Sequence, residues 1–268
     1  MPLQMGVIAP HVPSICFEEK APEFQREIIA GLKKVSGIID DLKPDVVITI
    51  SCHWPSTFDH IVDVTPVHKG NVTAEENPNL ISDVPYNYPG DYDLGMQIVE
   101  AGQKAGLPVI SVDSPHYVWD YGTLVPLRYL VPKENIPIID MSICLAADLD
   151  ETYKFGQVIG SVLEQSSKKA VFVASGALSH RLVRGRENKP TITEQAMDNQ
   201  MIEFLNKCDL ASAWKMLPQY AKFAAVEGGG RHLAMLFGVL GDAQYTSQYF
   251  GWGQSSGSGN VVMTFQKQ

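Results

Sequence analysis

The sequence predicts an α/β fold: a single domain with a central, largely parallel or mixed β-sheet that is covered by helices on both faces. Short runs rich in β-branched residues alternate along the chain with longer segments whose apolar residues recur at helical spacing. Such alternation is typical of helical crossovers between parallel strands. The length of 268 residues allows a large core, and α/β folds of this length often form one unit. We therefore expect one domain over residues 1–268.

Seven short apolar runs predict the strands of the sheet. They are too short for helices, are rich in β-branched residues, and are bounded by proline, glycine or polar residues. Pro10 follows the first run, and Pro44 precedes the second. We expect the third run to pair with the second, and the last run to close the sheet. The seven runs are residues 4–9, 45–51, 60–64, 109–112, 136–143, 170–175 and 260–265.

Five longer segments predict helices, because their apolar residues recur every three to four positions beneath a polar face. The second of these helices should stop at Gly106, since glycine favours a helix end and Pro108 follows. Glu227 precedes the fifth helix, in a tight glycine-rich turn. The five segments are residues 22–39, 91–105, 149–165, 191–207 and 229–240.

Three segments are predicted to be irregular. Residues 67–90 are polar and contain three prolines, and a loop of that length in a compact domain is usually a lid, a binding loop or disordered. We expect it to form part of a pocket rim. Residues 114–122 combine aromatic and polar groups, which suits a pocket wall better than a buried core. Residues 250–259 are rich in glycine and serine and predict a loop.

The composition limits the expected partners. The formal net charge is −9, so the surface has too few Lys and Arg residues to neutralise nucleic acid or an anionic membrane. No stretch approaches the roughly 18 consecutive apolar residues that span a bilayer, and the amino terminus lacks a signal-peptide pattern. We expect a cytoplasmic protein with a small-molecule partner. The four cysteines never form C-x-x-C, which favours reduced thiols.

Three histidines follow predicted strands. His11, His53 and His180 stand at or shortly after the ends of the first, second and sixth runs. Because ligand sites in open α/β sheets gather at the carboxyl ends of strands, we expect one shared site. With Glu227, two of these histidines could occupy one face of Fe(II) and leave the other face open. Taken singly, each residue is more often structural, as a hydrogen-bonded histidine or a carboxylate near a helix amino terminus.

Three other patterns do not predict a functional site. Residues 253–257 (GQSSG) match the G-x-S-x-G pattern of a nucleophile elbow, but a strand follows them and the last histidine, His232, precedes them. Gly251-x-Gly253 opens no helix, so it is not a dinucleotide-binding fingerprint. Cys52 and His53 do not indicate zinc, because adjacent residues on a strand point to opposite faces. We expect Cys52 to pack in the core when His53 faces a cleft.

Five sequence blocks stand in order along the chain: residues 9–14 (APHVPS), 51–54 (SCHW), 120–126 (DYGTLVP), 174–181 (ASGALSHR) and 226–228 (VEG). Together they resemble the signature of the class III extradiol ring-cleavage dioxygenases of the LigB-type superfamily. Further blocks look like its homoprotocatechuate 2,3-dioxygenase branch, at residues 86–88, 216–221 and 255–259. The 2-aminophenol 1,6-dioxygenases share several blocks, including residues 250–253 (FGWG).

The resemblance implies a metal site and an acid/base residue. It implies that His11, His53 and Glu227 hold a non-haem Fe(II), and that His180 moves protons. Many members of the class carry a second active-site histidine where this chain has Tyr121. Since a phenol has an unperturbed pKa of about 10, we expect Tyr121 to donate a hydrogen bond and not to act as a base.

The reaction implied is cleavage of a catechol or aminophenol ring by O2 to a muconic semialdehyde-type acid, with no organic cofactor. The blocks at residues 86–88 and 216–221 favour catechol, with 2-aminophenol as the alternative. The resemblance also favours a homodimer or larger homo-oligomer. Two further alternatives stay open: a metal-free binding or regulatory subunit of the same superfamily, and a zinc hydrolase with the same three ligands. The ring substituent is not determined.

The other histidines have weaker functional signals. His116 is close in sequence to the predicted pocket wall and is a candidate to line it, without an assigned role. His60, His68 and His232 are expected to be structural or surface residues.

Overall fold

The computed structural model describes residues 2–268. Met1, the first residue of the predicted domain, lies outside them. The strands are β1 (Leu3–Ala9), β2 (Val46–Ser56), β3 (His60–Asp63), β4 (Val67–Val72), β5 (Val84–Pro89), β6 (Val109–Val112), β7 (Ile138–Cys144), β8 (Ala170–Ser175), β9 (Tyr245–Ser255) and β10 (Ser258–Lys267). The helices are α1 (Arg26–Leu42), α2 (Tyr92–Lys104), α3 (Tyr121–Leu130), α4 (Leu149–Gln165), α5 (Ile192–Asn206), α6 (Leu210–Phe223) and α7 (Arg231–Leu240).

Eight of these strands form one mixed sheet in the order β6-β3-β7-β2-β8-β1-β10-β9. The central strands β7, β2, β8 and β1 are parallel to one another. Strand β3 is antiparallel to β7 and parallel to β6, and the hairpin of β9 and β10 is antiparallel to β1. The predicted α/β fold class, with a largely parallel or mixed sheet, is confirmed.

The central strands are buried on both faces, as expected for parallel strands between helices. Because successive side chains of a strand point to opposite faces, adjacent residues belong to different cores. Ile8 and Ile48 pack in a cluster with apolar residues of α2, α4, α5, α6 and α7. Val7 and Val47 pack in a second cluster with α1 and α3. No helix of the described residues is both long and apolar enough to span a membrane.

Strand β2 runs further than the sequence predicts. It continues past Ser51 to Ser56, and its pairing with β7 shifts between Ser51 and Pro55. His53 therefore lies in an irregular part of a strand and not after its end. The expected pairing of residues 60–64 with this strand is wrong, because β7 lies between β2 and β3. The seven-residue β7 pairs along the length of β2, which the four-residue β3 could not do.

The predicted loop at residues 67–90 is largely a β-hairpin. Strands β4 and β5 pair as a separate two-stranded sheet, and only residues 73–83 connect them irregularly. In β5, Val84, Tyr86 and Tyr88 are buried, and Pro85 and Asn87, which lie between them, are exposed. This is the alternation of a half-buried strand. The prolines concealed this pattern in the sequence. Pro85 and Pro89 stand in β5, a strand with a single partner, where proline is tolerated.

Two helices, and the hairpin of the last two strands, also differ from the sequence prediction. Helices α3 and α6 each contain an internal proline, Pro126 and Pro218, which weakens the sequence signal for a helix. The predicted loop at residues 250–259 belongs to the β9–β10 hairpin, and β10 lies inside the sheet, so the last predicted strand does not close it. The glycines there serve close packing: a Cβ on Gly251 would lie 3.0 Å from the carbonyl oxygen of Glu27 in α1.

Candidate active site

His11 follows β1 and is held from two sides. Strand β1 pairs with β8 so that Ala9 is opposite Ser175, and the Oγ atom of Ser175 lies 2.9 Å from Nδ1 of His11. The single hydroxyl hydrogen of Ser175 is donated to the carbonyl oxygen of Gly122 at 2.5 Å. Ser175 must therefore accept a hydrogen bond from Nδ1–H of His11. In the neutral imidazole this leaves a lone pair on Nε2, which faces Glu227 Oε1 at 3.0 Å.

His53 is placed by the irregular end of β2. Its backbone NH donates to the Oγ atom of Ser51, which donates in turn to the carboxylate of Asp120. The Nε2 atom of His53 lies 3.2 Å from Glu227 Oε1, and Nδ1 lies 3.8 Å from a carboxylate oxygen of Glu76. The side chain of Cys52 packs into the opposite core, as expected from the alternation along a strand.

Glu227 enters the site from a turn of three consecutive glycines. The next three residues, Gly228, Gly229 and Gly230, have φ angles of 57°, 64° and 81°, a left-handed conformation that is unfavourable for other residues. This turn brings the chain directly into α7. The backbone NH of Ala177, after β8, donates to Glu227 Oε2 at 2.6 Å. That bond leaves Oε1 directed at the histidines.

One ligand atom from each of His11, His53 and Glu227 therefore converges on a single point, and the three atoms lie within 4.8 Å of one another. Burial by itself raises the pKa of Glu227, but its electrostatic interaction with His11 and its close side-chain contacts with His11 and His53 outweigh burial and hold that pKa well below its usual value. Burial lowers the pKa of His53, yet its contact with Glu227 raises it overall. The carboxylate is thus ionised beside two imidazole nitrogens, a donor set that suits a divalent cation.

His180 lies next to this group. Its Nε2 atom is 3.6 Å from Glu227 Oε1, and its side chain is about one quarter exposed. Its backbone NH donates to the carbonyl oxygen of Ala224, which anchors the segment after β8. Burial lowers the pKa of His180, although the charge of Glu227 acts in the opposite direction. A neutral imidazole at this position can accept a proton from a ligand bound in the cleft.

Tyr121 is the first residue of α3, and its hydroxyl lies 2.7 Å from His53 Nε2. Burial raises the pKa of Tyr121 well above its usual value, and a hydrogen bond to Glu76 raises it further. The phenol is therefore protonated and can donate one hydrogen bond. The helix start is set by Asp120, whose carboxylate accepts from the backbone NH of Thr123.

A small cleft, with a volume of about 140 Å³, opens on these five residues. It is smaller than the usual pocket for a drug-sized ligand, which suits a compact molecule. The tip of the β4–β5 hairpin lines it, as expected for residues 67–90, whereas sequence reasoning missed two other walls, the segment after His180 and the turn between β9 and β10. No local pattern marks these segments as neighbours. Their lining residues are Asn77, Leu80, Leu182, Arg186, Ser255, Ser256, Ser258 and Asn260.

The other histidines lie outside the cleft. His116 is exposed and does not line it, so its suggested place in the pocket wall is wrong. His60, His68 and His232 are buried, in agreement with a structural role. His60 forms a second group of ligand-type side chains with Cys144 and Glu151, but this group does not line the cleft.

A buried carboxyl group supports the helix that carries Tyr121. Thr123 in α3 donates to Asp140 Oδ2 at 2.9 Å, and burial together with the charge of Asp120 raises the pKa of Asp140 well above its usual value. The raised pKa means that ionisation of Asp140 opposes folding. This cost is absent below the unfolded pKa of about 4 and grows as the pH rises toward the folded pKa.

Replacing Asp140 by asparagine is therefore expected to raise Tm at pH 8 by about 2–4 °C, with the difference shrinking toward zero near pH 4. Asparagine keeps an acceptor and cannot ionise. Thermal unfolding across this pH range measures the effect, and Asp113→Asn, at an exposed position, serves as the control. A variant less stable than the wild type at pH 8 would show that the native state uses the ionised form.

This chain is similar to known proteins over most of its length. The family described as the catalytic LigB subunit of aromatic ring-opening dioxygenase matches residues 5–263. The 3,4-dihydroxyphenylacetate 2,3-dioxygenase of Escherichia coli is 28% identical over 245 residues, which cover 88% of this chain and 89% of that protein. The 2-aminophenol 1,6-dioxygenase beta subunit of a Pseudomonas species is 27% identical over 286 residues, covering 96% and 92%.

A similar fold occurs in a solved structure. The crystal structure of an uncharacterized protein from Escherichia coli K12 superimposes with a TM-score of 0.70 and covers 97% of this chain and 99% of its own. Its sequence identity to this chain is 19%, so the likeness supports the fold alone.

Proposed function

Because the chain belongs to the family of catalytic LigB subunits of aromatic ring-opening dioxygenases, we propose that it is an Fe(II)-dependent extradiol dioxygenase. In this proposal a catechol-type ring is cleaved by O2 to a muconic semialdehyde-type acid. The observation that carries it is the convergence of two imidazole nitrogens and one ionised carboxylate in the lining of a small cleft. The same residues stand in the sequence blocks that resemble the class III enzymes.

The residues present fit a divalent metal. Nδ1–H of His11 is bound to Ser175, so a lone pair of Nε2 faces an oxygen of the Glu227 carboxylate. Two lone pairs at 3.0 Å repel each other unless a proton or a cation lies between them. His11, His53 and Glu227 would hold Fe(II), which would supply Lewis-acid and electron-transfer chemistry to the site.

The remaining lining residues bind and orient the ring. Val12, Pro13 and Ala177 contribute apolar surface to the cleft and exclude water from one side of the ligand. His180 accepts a proton from a ring hydroxyl at its imidazole and returns it later in the reaction. Tyr121 donates a hydrogen bond from its hydroxyl. Holding the reactants in one geometry removes much of the entropic cost of a bimolecular reaction.

The proposed assembly is a homodimer or a larger homo-oligomer. Two of the matched relatives, at 27% and 23% identity, are named as the beta and alpha subunits of a 2-aminophenol 1,6-dioxygenase. Subunit association is therefore a property of proteins similar to this chain.

The proposal is tested by oxygen uptake after anaerobic reconstitution with Fe(II). We expect uptake with catechols, with specificity constants (kcat/KM) higher than that for 2-aminophenol. The preference for catechol rests only on the sequence resemblance of residues 86–88 and 216–221. Neither block lines the cleft, and Tyr86 packs on Trp119 instead. A higher specificity constant for 2-aminophenol than for every catechol tested would reverse this order.

The same experiment separates the other classes of function. A folded protein that takes up no Fe(II) would be a binding or regulatory subunit. A protein active with zinc on an ester or amide, without oxygen uptake, would be a hydrolase with the same ligands.

A further inference from the structure

We propose that Asp198, a buried residue of α5, is a positioning residue for His180, because it fixes the backbone that carries the His180 imidazole into the cleft. Asp198 does not line the cleft and does not belong to the triad. This inference rests on the proposed function, since it gives Asp198 an effect on the proton transfer that is proposed for His180.

The imidazole of His180 forms no side-chain hydrogen bond within residues 2–268. Its Nε2 atom lies 3.6 Å from Glu227 Oε1, which is longer than a hydrogen bond. Residues 176–179, which lead to His180, form neither a helix nor a strand. The position of the imidazole therefore depends on the contacts that fix this irregular backbone.

The carboxyl group of Asp198 holds the residue that precedes His180. Its Oδ1 atom accepts from the backbone NH of Ser179 at 3.1 Å, and its Oδ2 atom accepts from the Ser179 hydroxyl at 2.7 Å. Tyr220 of α6 donates its hydroxyl to Oδ1 at 2.6 Å. All three residues are buried, and both oxygens of Asp198 accept, as in an ionised carboxylate. The carboxylate is thus fixed by α6 and bound to the main chain next to His180.

Strand β10 holds Ser179 from the other side. The NH of Gly259 donates to the carbonyl oxygen of Ser179 at 2.9 Å, and the NH of Leu178 donates to the carbonyl oxygen of Gly259 at 2.8 Å. A Cβ on Gly259 would overlap Oδ2 of Asp198 and would lie 3.0 Å from the Oγ atom of Ser179. Glycine therefore permits this close approach of β10, which encloses the contact between Asp198 and Ser179.

A second buried carboxylate of α5, that of Glu194, gives a matched control. It lies one turn before Asp198 and binds the guanidinium of Arg181, the residue after His180, at 2.8 Å. Its other oxygen accepts from Thr191 at the start of α5. Glu194 thus contacts the segment around His180 only through a long side chain, whereas Asp198 binds its main chain.

The test is a double-mutant cycle in the Fe(II)-loaded enzyme, with oxygen uptake with catechol as the measured rate. Asp198→Asn is expected to lower kcat by about 10- to 100-fold, because a small displacement of a reacting group costs that much. Iron content and the anaerobic Kd for catechol should change by less than about threefold, since the triad is intact. In the His180→Gln background, Asp198→Asn should lower kcat by less than about threefold, because no proton carrier is left to position.

Two further variants separate positioning from a loss of stability. Glu194→Gln should leave kcat within about threefold of the wild type, although it also alters a buried carboxylate of α5. Tyr220→Phe removes one donor to Asp198 and little volume, so it should lower kcat by about two- to tenfold, again only when His180 is present. Tyr220→Phe carries the test if Asp198→Asn does not fold.

The cycle distinguishes the ways in which the inference could fail. If Asp198→Asn lowers kcat by the same factor with and without His180, or leaves kcat unchanged, Asp198 does not act through His180 and the inference is overturned. An equal loss of kcat in Glu194→Gln would also overturn it. Oxygen uptake by the wild type would leave the proposed function intact in these cases. Absence of uptake with every ring tested would overturn the proposed function itself, and with it the inference.

Discussion

Replacing Glu227 by glutamine is expected to weaken Fe(II) binding by at least about 100-fold and to abolish ring cleavage. Replacing a residue that only hydrogen-bonds to a metal ligand typically lowers metal affinity by about 10- to 100-fold. The Glu227→Gln change removes a ligand's charge, the one negative charge of the donor set. The Oε2 position can still accept the hydrogen bond from the NH of Ala177, so the turn and the fold should persist. Iron content after anaerobic reconstitution, and Tm as a measure of folding, test this expectation.

Glu151→Gln is the matched control for that experiment. Glu151 belongs to the second group of ligand-type residues, with His60 and Cys144, and its Oε1 atom lies 3.2 Å from His60 Nε2. The pKa of His60 is lowered to about 4 by burial, so this histidine is neutral and could also bind a metal. We expect Glu151→Gln to keep iron and turnover. If Glu151→Gln lost its iron while Glu227→Gln kept full iron content, the metal site would be the second group and not the His11, His53 and Glu227 group.

Replacing His180 by glutamine should lower turnover by at least about 100-fold while iron content and anaerobic catechol binding stay close to wild type. Glutamine can form a hydrogen bond but cannot carry a proton at neutral pH, and a general acid/base residue typically contributes 10²- to 10⁴-fold. The side chain of His180 lies beside Glu227 at 3.6 Å and lines the same cleft, which puts it within reach of a bound ring. Steady-state turnover and anaerobic titration measure the two effects separately.

Two further variants serve as comparisons for the turnover of His180→Gln. His116→Gln removes an exposed histidine outside the cleft and should leave turnover unchanged. Tyr121→Phe removes one hydrogen-bond donor, so it should lower turnover by roughly tenfold or less. If His180→Gln turned over at nearly the wild-type rate across neutral pH, His180 would have no part in proton transfer.

The sequence alone was sufficient where a local pattern decides the local conformation. Strand β8 and helix α4 have the predicted bounds, residues 170–175 and 149–165, because a short β-branched run and a long amphipathic segment each have one favourable conformation. The α/β class follows from the alternation of such segments. The resemblance of five sequence blocks also identified the family. The blocks do not show, however, which of their residues contact one another in the fold.

The tertiary structure decided which of these residues meet. His11 and Glu227 are 216 positions apart, and their contact depends on the pairing of β1 with β8 and on a turn of three left-handed glycines. Their proposed role as metal ligands stays a prediction, but their convergence could not be derived from either local segment.

The same reason explains the elements and residues that sequence analysis missed. The β4–β5 hairpin, the interior position of β10 and the place of Arg186 in the cleft all depend on burial against distant parts of the chain. A short window of sequence carries the period of a helix or a strand, because that period is set by backbone geometry. It does not carry the identity of the partner surface, since the free energy of burial depends on which other segments cover each side chain.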